Sequence, residues 1–208
     1  MEIPAFFATY RDERMQVTDG FFNSISPKAG TRFMEFSETV SPQVNRQFRS
    51  PMLMIDCNSF AAREFSEKVM KNLRVPGADI WFMTYIATVE DVFDSFNRDA
   101  DMVFGPTHFI ESDSELKDIC NVSDSFVPVV FVHQGKAVVR KRVSADVQTV
   151  LDKLVSYGFY RNCVLDMEDS LDGYTWSIIA SDYPSTIPFV SNPSRIQGFP
   201  AVITPFLL

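Results

Sequence analysis

The sequence predicts an α/β protein that folds as a (βα)8 TIM barrel, and three observations lead to this fold class. Eight short apolar runs recur along the 208 residues. They are nearly continuous rather than alternating, as expected for strands buried on both faces of a parallel sheet. The stretches between them show helical periodicity, and repeated βα units favour a barrel over a sandwich. The runs cover residues 3–7, 52–55, 79–83, 102–104, 128–132, 163–165, 187–190 and 201–203.

Four of the intervening stretches carry helix signals. Residues 59–73 place apolar side chains four or five positions apart, with charges between them. Residues 88–96 begin with a threonine followed by acidic residues, and residues 112–119 begin with the capping-box pattern Ser-x-x-Glu. Residues 144–157 carry one apolar stripe and end at Gly158, a typical C-terminal stop.

Three regions depart from the regular repeat. Residues 8–50 predict a hairpin or excursion, followed by a short helix capped by Ser41 with Pro42 at its first position. Residues 136–143 predict a strand that follows a turn at a Gln-Gly pair. The chain between the seventh and eighth predicted strands is too short for a full helix, so we expect the last two helices to be shortened or missing. We expect one domain over residues 1–208.

Charge and cysteine content argue against several classes of function. The net charge of −8 repels phosphate backbones, which disfavours binding to nucleic acid and to anionic membranes. The basic run at residues 140–142 is too short to change this. Three scattered cysteines without a CxxC pair argue against a disulfide framework and a zinc site. No apolar run approaches the roughly 20 residues of a membrane span, and the first residues carry charge too early for a signal peptide. We therefore expect a cytoplasmic protein without a membrane anchor, metal or cofactor.

The order and spacing of several segments resemble one known family of barrels. MEIPAFF is similar to a first strand that reads Ile-Pro-Ala-Ile-Asp, and ADIWFMTYIATVEDV to a third strand and the helix start after it. The family is that of phosphoribosylformimino-5-aminoimidazole carboxamide ribotide isomerase, of histidine biosynthesis, and its cyclase sister. Further similar segments are MLMIDCNS, ADMVFGPT, PVVFVHQGKAVVRKR, NCVLDMEDSLDG, IPFVSNPS and GFPAVITPFLL.

The resemblance implies a catalytic site that this chain lacks. The family rearranges an aminoaldose, and it uses a general acid and a general base at the ends of the first and fifth strands. The matching positions here are Phe7 and Phe131. Neither phenyl ring exchanges a proton, so we expect the isomerase activity to be absent, and whether the chain is an enzyme stays open.

The resemblance also implies a phosphate site, which is reduced here. The family holds a bisphosphorylated substrate by backbone N–H groups in glycine-rich turns. In this chain prolines follow Asn192 and Thr204, and proline removes a donor. Ligand-binding candidates at the strand ends are Thr84, Gly105, Thr107, Ser191, Asn192 and Thr204.

Polar residues at the other strand ends supply catalytic candidates. Asp56, Asp166, His108 and His133 are the acids and bases placed there. Asp166 either takes part in chemistry, or caps a turn, or pairs with one of the basic residues Arg161, Arg140 and Lys136. Each histidine is an acid–base candidate without a visible partner. The acidic loop of residues 166–172 is either a solvated loop or a site for a hard cation.

Three functions follow from these residues. The first is a barrel that no longer isomerises and binds a small ligand, which can be phosphorylated, or a protein partner. The missing outer helices would bare apolar surface, so we also expect a homo-oligomer. The second is an isomerase- or lyase-type enzyme that acts on a sugar phosphate through a relocated acid–base site. The third is retention of the original activity, which the two phenylalanines disfavour.

Overall fold

Eight parallel strands close into a barrel, as the sequence predicts. The computed structural model describes residues 1–18, 33–36, 51–73, 79–97, 100–140 and 143–206. The strands of the ring are β1 (Glu2–Arg11), β4 (Met52–Asp56), β5 (Ile80–Met83), β6 (Met102–Pro106), β7 (Phe126–His133), β10 (Asn162–Asp166), β11 (Thr186–Val190) and β12 (Val202–Pro205). Each pairs with the next in this order, and β12 returns to β1, which closes the ring.

In the described part of the chain, two ring strands extend into antiparallel strands, called the first and second hairpin below, and six α-helices lie between the strands. The first hairpin consists of β1, β2 (Arg14–Thr18) and β3 (Phe33–Glu35), and the second of β7, β8 (Lys136–Arg140) and β9 (Val143–Ala145). The second one confirms the predicted strand after the Gln-Gly turn. The helices are α1 (Cys57–Ala62), α2 (Lys68–Asn72), α3 (Val89–Phe96), α4 (Asp113–Val122), α5 (Val147–Tyr157) and α6 (Gly173–Asp182).

The interior of the barrel is filled by apolar side chains from all eight strands. Alternate residues of each strand point inwards, so β1 contributes Ile3, Ala5 and Phe7 to one buried cluster. The register places Phe7 beside Ile55, and Phe131 beside Leu165. Since β1 and β7 are the first and fifth strands of the ring, these pairs lie on opposite sides of it.

A second buried cluster lies between the barrel and α3 to α6, and helix caps place these helices. The side chain of Thr88 and that of Asp91 form a capping box at the start of α3. The Ser112 hydroxyl accepts from the Glu115 N–H at the start of α4. Gly158 ends α5 in the left-handed conformation with φ +102°. These features confirm three of the predicted helix boundaries.

The long helix predicted over residues 59–73 is wrong, because the chain forms two short helices there. Arg63 takes the left-handed conformation with φ 56° and ends α1, and α2 begins five residues later. The helix predicted from residue 144 begins at Val147, because Ser144 belongs to β9. The predicted cap Ser41 and Pro42 lie outside the described residues.

The outer layer thins after β11, as predicted. A single 3₁₀ turn (Pro193–Arg195) follows this strand. The loop beyond it packs Phe199 edge-on against Trp176 of α6, with ring centroids 5.7 Å apart. After β12, Phe206 stacks on Phe6 of β1 with ring centroids 4.8 Å apart. Apolar side chains from irregular segments thus cover part of the surface that a helix would otherwise cover.

Candidate functional site

The C-terminal mouth of the barrel, where TIM-barrel sites normally lie, is closed by apolar side chains. Phe7 is 3% exposed and Phe131 is partly buried. Together they line a cavity of ≈ 20 Å³, which has room for about one water molecule. No polar side chain of the described ranges lines this cavity. Its lining consists of Phe7, Ile55, Met83, Phe131, Leu165, Met167 and Phe189.

An aromatic cluster covers one side of the mouth. The Phe109 ring lies at its centre, with centroids 4.0 Å from His108, 5.0 Å from Tyr85 and 6.0 Å from Phe60. His108 also approaches Phe131 at 5.5 Å. The cluster therefore continues the apolar interior outwards over the strand ends.

Asp56, a candidate acid, points away from the barrel axis and caps α1. One carboxylate oxygen accepts from the backbone N–H groups of Asn58 and Ser59, and the other accepts from the Ser59 hydroxyl at 2.5 Å. The side chain is fully buried. Burial raises the pKa of this carboxyl from 3.8 to about 6, although its hydrogen bonds to Ser59 and Asn58 oppose the shift. The Thr84 hydroxyl donates to Ser59 Oγ at 3.0 Å and completes the network.

Asp166 plays the same part at the end of β10. Its carboxylate accepts from the Ser170 N–H and hydroxyl and from the Leu171 N–H, at 2.8–3.0 Å. Ser170 in turn accepts from the Gly135 N–H, which ties the second hairpin to this loop. The hydrogen bonds of Asp166 are those of a turn cap. Neither Asp56 nor Asp166 lines the cavity at the mouth.

The two histidines lie in different surroundings. Burial, together with the nearby charge of Arg63, lowers the pKa of His108 from 6.5 to about 4, so its ring is neutral at pH 7. His108 Nδ1 is buried and has no hydrogen-bond partner in the described part of the chain. His133 Nδ1 lies 2.8 Å from Glu168 Oε1 at the exposed rim. A hydrogen bond from the Gln134 N–H, and then the histidine, lower the pKa of Glu168.

The ligand-binding candidates on β5, β6 and the following turn make internal contacts. Thr84 is fully buried in the Asp56 network. Gly105 faces the helix layer, where an added Cβ would lie 2.6 Å from the Phe126 ring. The Thr107 hydroxyl donates to the Val129 carbonyl at 3.3 Å. These three residues are used for packing and for hydrogen bonds within the chain.

The candidates on β11 and β12 lie nearer the surface. The Ser191 hydroxyl donates to Asp169 at 2.6 Å. Asn192 accepts from the N–H and the hydroxyl of Ser194 and so caps the 3₁₀ turn. The Thr204 hydroxyl donates to Glu2 at 2.7 Å. The structure thus distributes the six candidates over several networks and does not bring them together in one pocket.

Comparison with protein-family models and curated sequences identifies no family for this chain. No protein-family model matches the chain, and no curated protein sequence matches it significantly. The barrel is shown by its own strand pairing, and the relationship to ribotide isomerases stays a prediction.

The described residues offer few groups for metal binding or for the chemistry of a reactive thiol. Within them, no group of three or more His, Cys, Asp or Glu side chains is placed to hold a metal ion. Cys57 is 4% exposed, and burial followed by the charge of Asp56 raises the pKa of its thiol. In the same residues, no helix is long and apolar enough to cross a membrane.

Two serines that shape the mouth, Ser59 and Ser170, were missed from the sequence, whereas Asn58 lies among the polar residues expected there. The Asn58 side-chain oxygen accepts hydrogen bonds from the Thr9 hydroxyl and the Tyr10 N–H, and its amide nitrogen donates to the Tyr10 carbonyl. These bonds tie the first hairpin to the end of β4. Ser59 and Ser170 complete the two aspartate networks. The available signal was a serine three or four residues after a strand-end aspartate, which is typical of a local cap.

Proposed function

We propose that this chain is a diverged relative of the ribotide isomerases that lacks their isomerase activity and acts by binding. Its ligand would be a small molecule, which can be phosphorylated, or a protein partner. The observation that carries the proposal is the apolar closure of the mouth. Phe7 and Phe131 lie against a cavity of ≈ 20 Å³, whereas ligand pockets usually measure roughly 300–1,000 Å³.

The chemistry of the reaction supports the same conclusion. Aminoaldose isomerisation needs an acid and a base within hydrogen-bond reach of the substrate. The nearest buried acids, Asp56 and Asp166, are committed to caps outside the barrel axis. A charged substrate in the apolar interior would lose its hydration without gaining partners. The side chains at the centre of the barrel therefore pack against one another and supply no acid or base for proton transfer.

The direct test is complementation of a histidine auxotroph that lacks the isomerase. Expression of this chain is expected to give no growth without histidine, while an active isomerase expressed at a similar level restores it. Soluble expression is checked by immunoblot, so that poor folding is not mistaken for inactivity. Growth of the complemented strain would overturn the proposal.

We also propose that the chain forms a homo-oligomer in the cytoplasm. A single 3₁₀ turn follows β11, whereas the helix α6 follows β10, so this side of the barrel has the thinner cover. All three cysteines are free, as is usual in a reducing compartment. Size-exclusion chromatography with light scattering tests the association. A monomer at every concentration would contradict it.

A second candidate function rests on the His133–Glu168 pair. A carboxylate that fixes the tautomer of a histidine is a common arrangement in acid–base catalysis. An isomerase- or lyase-type enzyme acting on a sugar phosphate would use His133 at the exposed rim instead of the barrel centre. In this case the chain turns over a sugar phosphate such as ribose 5-phosphate, and His133→Gln abolishes turnover while Lys136→Gln, on the same hairpin, does not. Turnover of the sugar phosphate by His133→Gln at the same rate as by Lys136→Gln would exclude a catalytic role for His133.

A further inference from the structure

A second cavity lies at the end of the barrel opposite the mouth. It has a volume of ≈ 180 Å³, nine times that of the cavity at the mouth. It lies where α4 and α5 end and where β7 and β10 begin. Its lining comprises Cys120, Ser123, Asp124, Phe126, Gly158, Phe159, Tyr160 and Arg161.

The pocket carries one carboxylate and one guanidinium that do not neutralise each other. Neither Asp124 nor Arg161 forms an ion pair with any residue in the described ranges. Among the described residues, the Arg161 guanidinium makes one hydrogen bond to a side chain, from Nη1 to the Met102 sulfur at 3.9 Å, and a thioether is a weak acceptor. Both charged groups are therefore available to a ligand.

The backbone adds a preference for positive charge on the Asp124 side. α4 ends at Val122 and α5 ends at Tyr157, and the carboxyl ends of both helices point at this pocket. The last carbonyl groups of a helix lack intrahelical partners and carry partial negative charge. They attract a ligand ammonium group together with the carboxylate of Asp124.

The remaining wall is apolar and aromatic. The rings of Phe126 and Phe159 lie with centroids 6.2 Å apart, and both residues are buried. The Tyr160 side chain is 84% exposed, an unusual position for a large ring, and it lies at the edge of the pocket. Gly158 also lines the pocket, where its positive φ of +102° favours glycine, and Cys120 Sγ lies 3.5 Å from the position of a Cβ there.

We propose that this pocket binds a small apolar α-amino acid. The ammonium group lies against Asp124 and the two helix ends, the carboxylate pairs with Arg161, and the side chain packs against Phe159 and Tyr160. The volume suits a molecule smaller than a typical drug. This site is separate from the mouth and does not depend on the function proposed there.

Cys120 provides a reporter for occupancy. It lines the pocket and is partly exposed, whereas Cys57 and Cys163 are 4% and 0% exposed. Alkylation of the native protein with iodoacetamide should therefore label Cys120 first, and peptide mass spectrometry locates the label. We expect millimolar L-leucine or L-phenylalanine to slow the labelling of Cys120 and to give a measurable binding isotherm by titration calorimetry.

Two analogues of leucine test the recognition of each charge. 4-Methylpentanoate lacks the ammonium group, and 3-methylbutylamine lacks the carboxylate. Each is expected to bind at least about tenfold more weakly than leucine, because a charge-assisted hydrogen bond is lost. Equal binding of all three compounds would overturn the zwitterion assignment. Failure of both amino acids to bind would overturn the site.

Variants locate the binding to this pocket. Asp124→Asn and Arg161→Met are expected to lower the affinity for leucine about tenfold. Asp94→Asn on α3 and Arg140→Met on β8 are matched controls outside the pocket and should leave it unchanged. Thermal unfolding of each variant checks that the fold is intact, and Arg161→Lys should retain part of the affinity if Arg161→Met is unstable. Binding that survives both pocket substitutions places the ligand elsewhere and refutes the proposal.

Discussion

The buried aspartates at the ends of β4 and β10 organise loops at the mouth without facing its centre. Asp56 and Asp166 each accept three hydrogen bonds from residues that follow within five positions. In both cases a serine hydroxyl links the carboxylate to another segment: Thr84 through Ser59, and Gly135 through Ser170. An aspartate at the end of a barrel strand therefore stabilises the local fold when nearby N–H and hydroxyl groups occupy the acceptor sites of its carboxylate.

Asp56 should make stability depend on pH. Its folded pKa of about 6 lies above the ordinary 3.8, so the folded state binds the proton more tightly than the unfolded state. The resulting stabilisation is complete below pH 3.8 and is lost as pH rises through about 6. The shift corresponds to about 3 kcal/mol. The difference in unfolding free energy between the wild type and Asp56→Asn should therefore fall by this order from pH 3.8 to neutral pH.

Urea unfolding at a series of pH values measures this difference. Asp94→Asn, which changes an exposed carboxylate on α3, is the control and should follow the wild-type profile. A wild-type minus Asp56→Asn difference that does not change with pH would show that Asp56 ionises normally in the folded protein.

Gly105 has a steric role that its sequence context conceals. An alanine Cβ at this position would lie 2.6 Å from the Phe126 ring, which is buried and cannot move freely. Gly105→Ala should therefore destabilise the protein by about 1–3 kcal/mol, as overpacking of a core does. Gly173→Ala is the control, since a Cβ there has no neighbour within 4 Å. Chemical denaturation measures both, and equal stabilities would contradict the packing role.

At the scale of elements, the two halves of the barrel repeat one design. β1 and β7 each extend into an antiparallel hairpin, and each hairpin is tied to the segment that follows the next barrel strand. Asn58 makes the tie in the first half, and Glu168 and Ser170 make it in the second. The ties fix the rim around Phe7 and Phe131, so the closure of the mouth depends on them.

Asn58→Ala should loosen the first hairpin. The substitution removes three hydrogen bonds of 2.8–3.0 Å to Thr9 and Tyr10. We expect a loss of about 1–3 kcal/mol and faster hydrogen exchange at the Tyr10 amide. Asn72→Ala, which removes one bond to the Lys68 carbonyl on an exposed helix end, is the control. Unchanged exchange at Tyr10 would mean that the sheet alone holds this hairpin.

The boundaries of helices and strands were predictable where a local sequence signal is not overridden by contacts with other segments of the chain. The apolar runs located all eight barrel strands, and Gly158 ended α5 as predicted. The capping box at α4 is only half formed, because the Glu115 carboxylate accepts from the Val89 N–H of α3 instead of reaching back to Ser112. The break at Arg63 likewise has no glycine or proline to announce it. A contact with a distant segment decided the first case, and local hydrogen bonds to Ser59 accompany the second.

At the scale of the whole molecule, the family resemblance predicted Phe7 and Phe131 at opposite sides of the mouth, where both rings line the cavity. The use of the polar strand ends was not predictable. Thr84, Gly105 and Thr107 occupy strand ends that favour function in this fold, and yet they bond or pack within the chain. The pocket at the opposite end is formed by two helix ends and two strand starts, far apart in sequence. No local pattern announces a site of that kind.

The filled interior leads to a last prediction, about Phe189. This side chain is fully buried and lines the cavity at the mouth, so Phe189→Ala should destabilise the barrel by about 3–5 kcal/mol. It should also turn the cavity into an apolar space that binds benzene, which would raise the melting temperature of the variant and not that of the wild type. Phe93→Ala, at a ring that is 50% exposed on α3, controls for loss of a phenyl group. A variant that loses stability but ignores benzene would show that the strands collapse inwards, so that barrel shape depends on the aromatic filling itself.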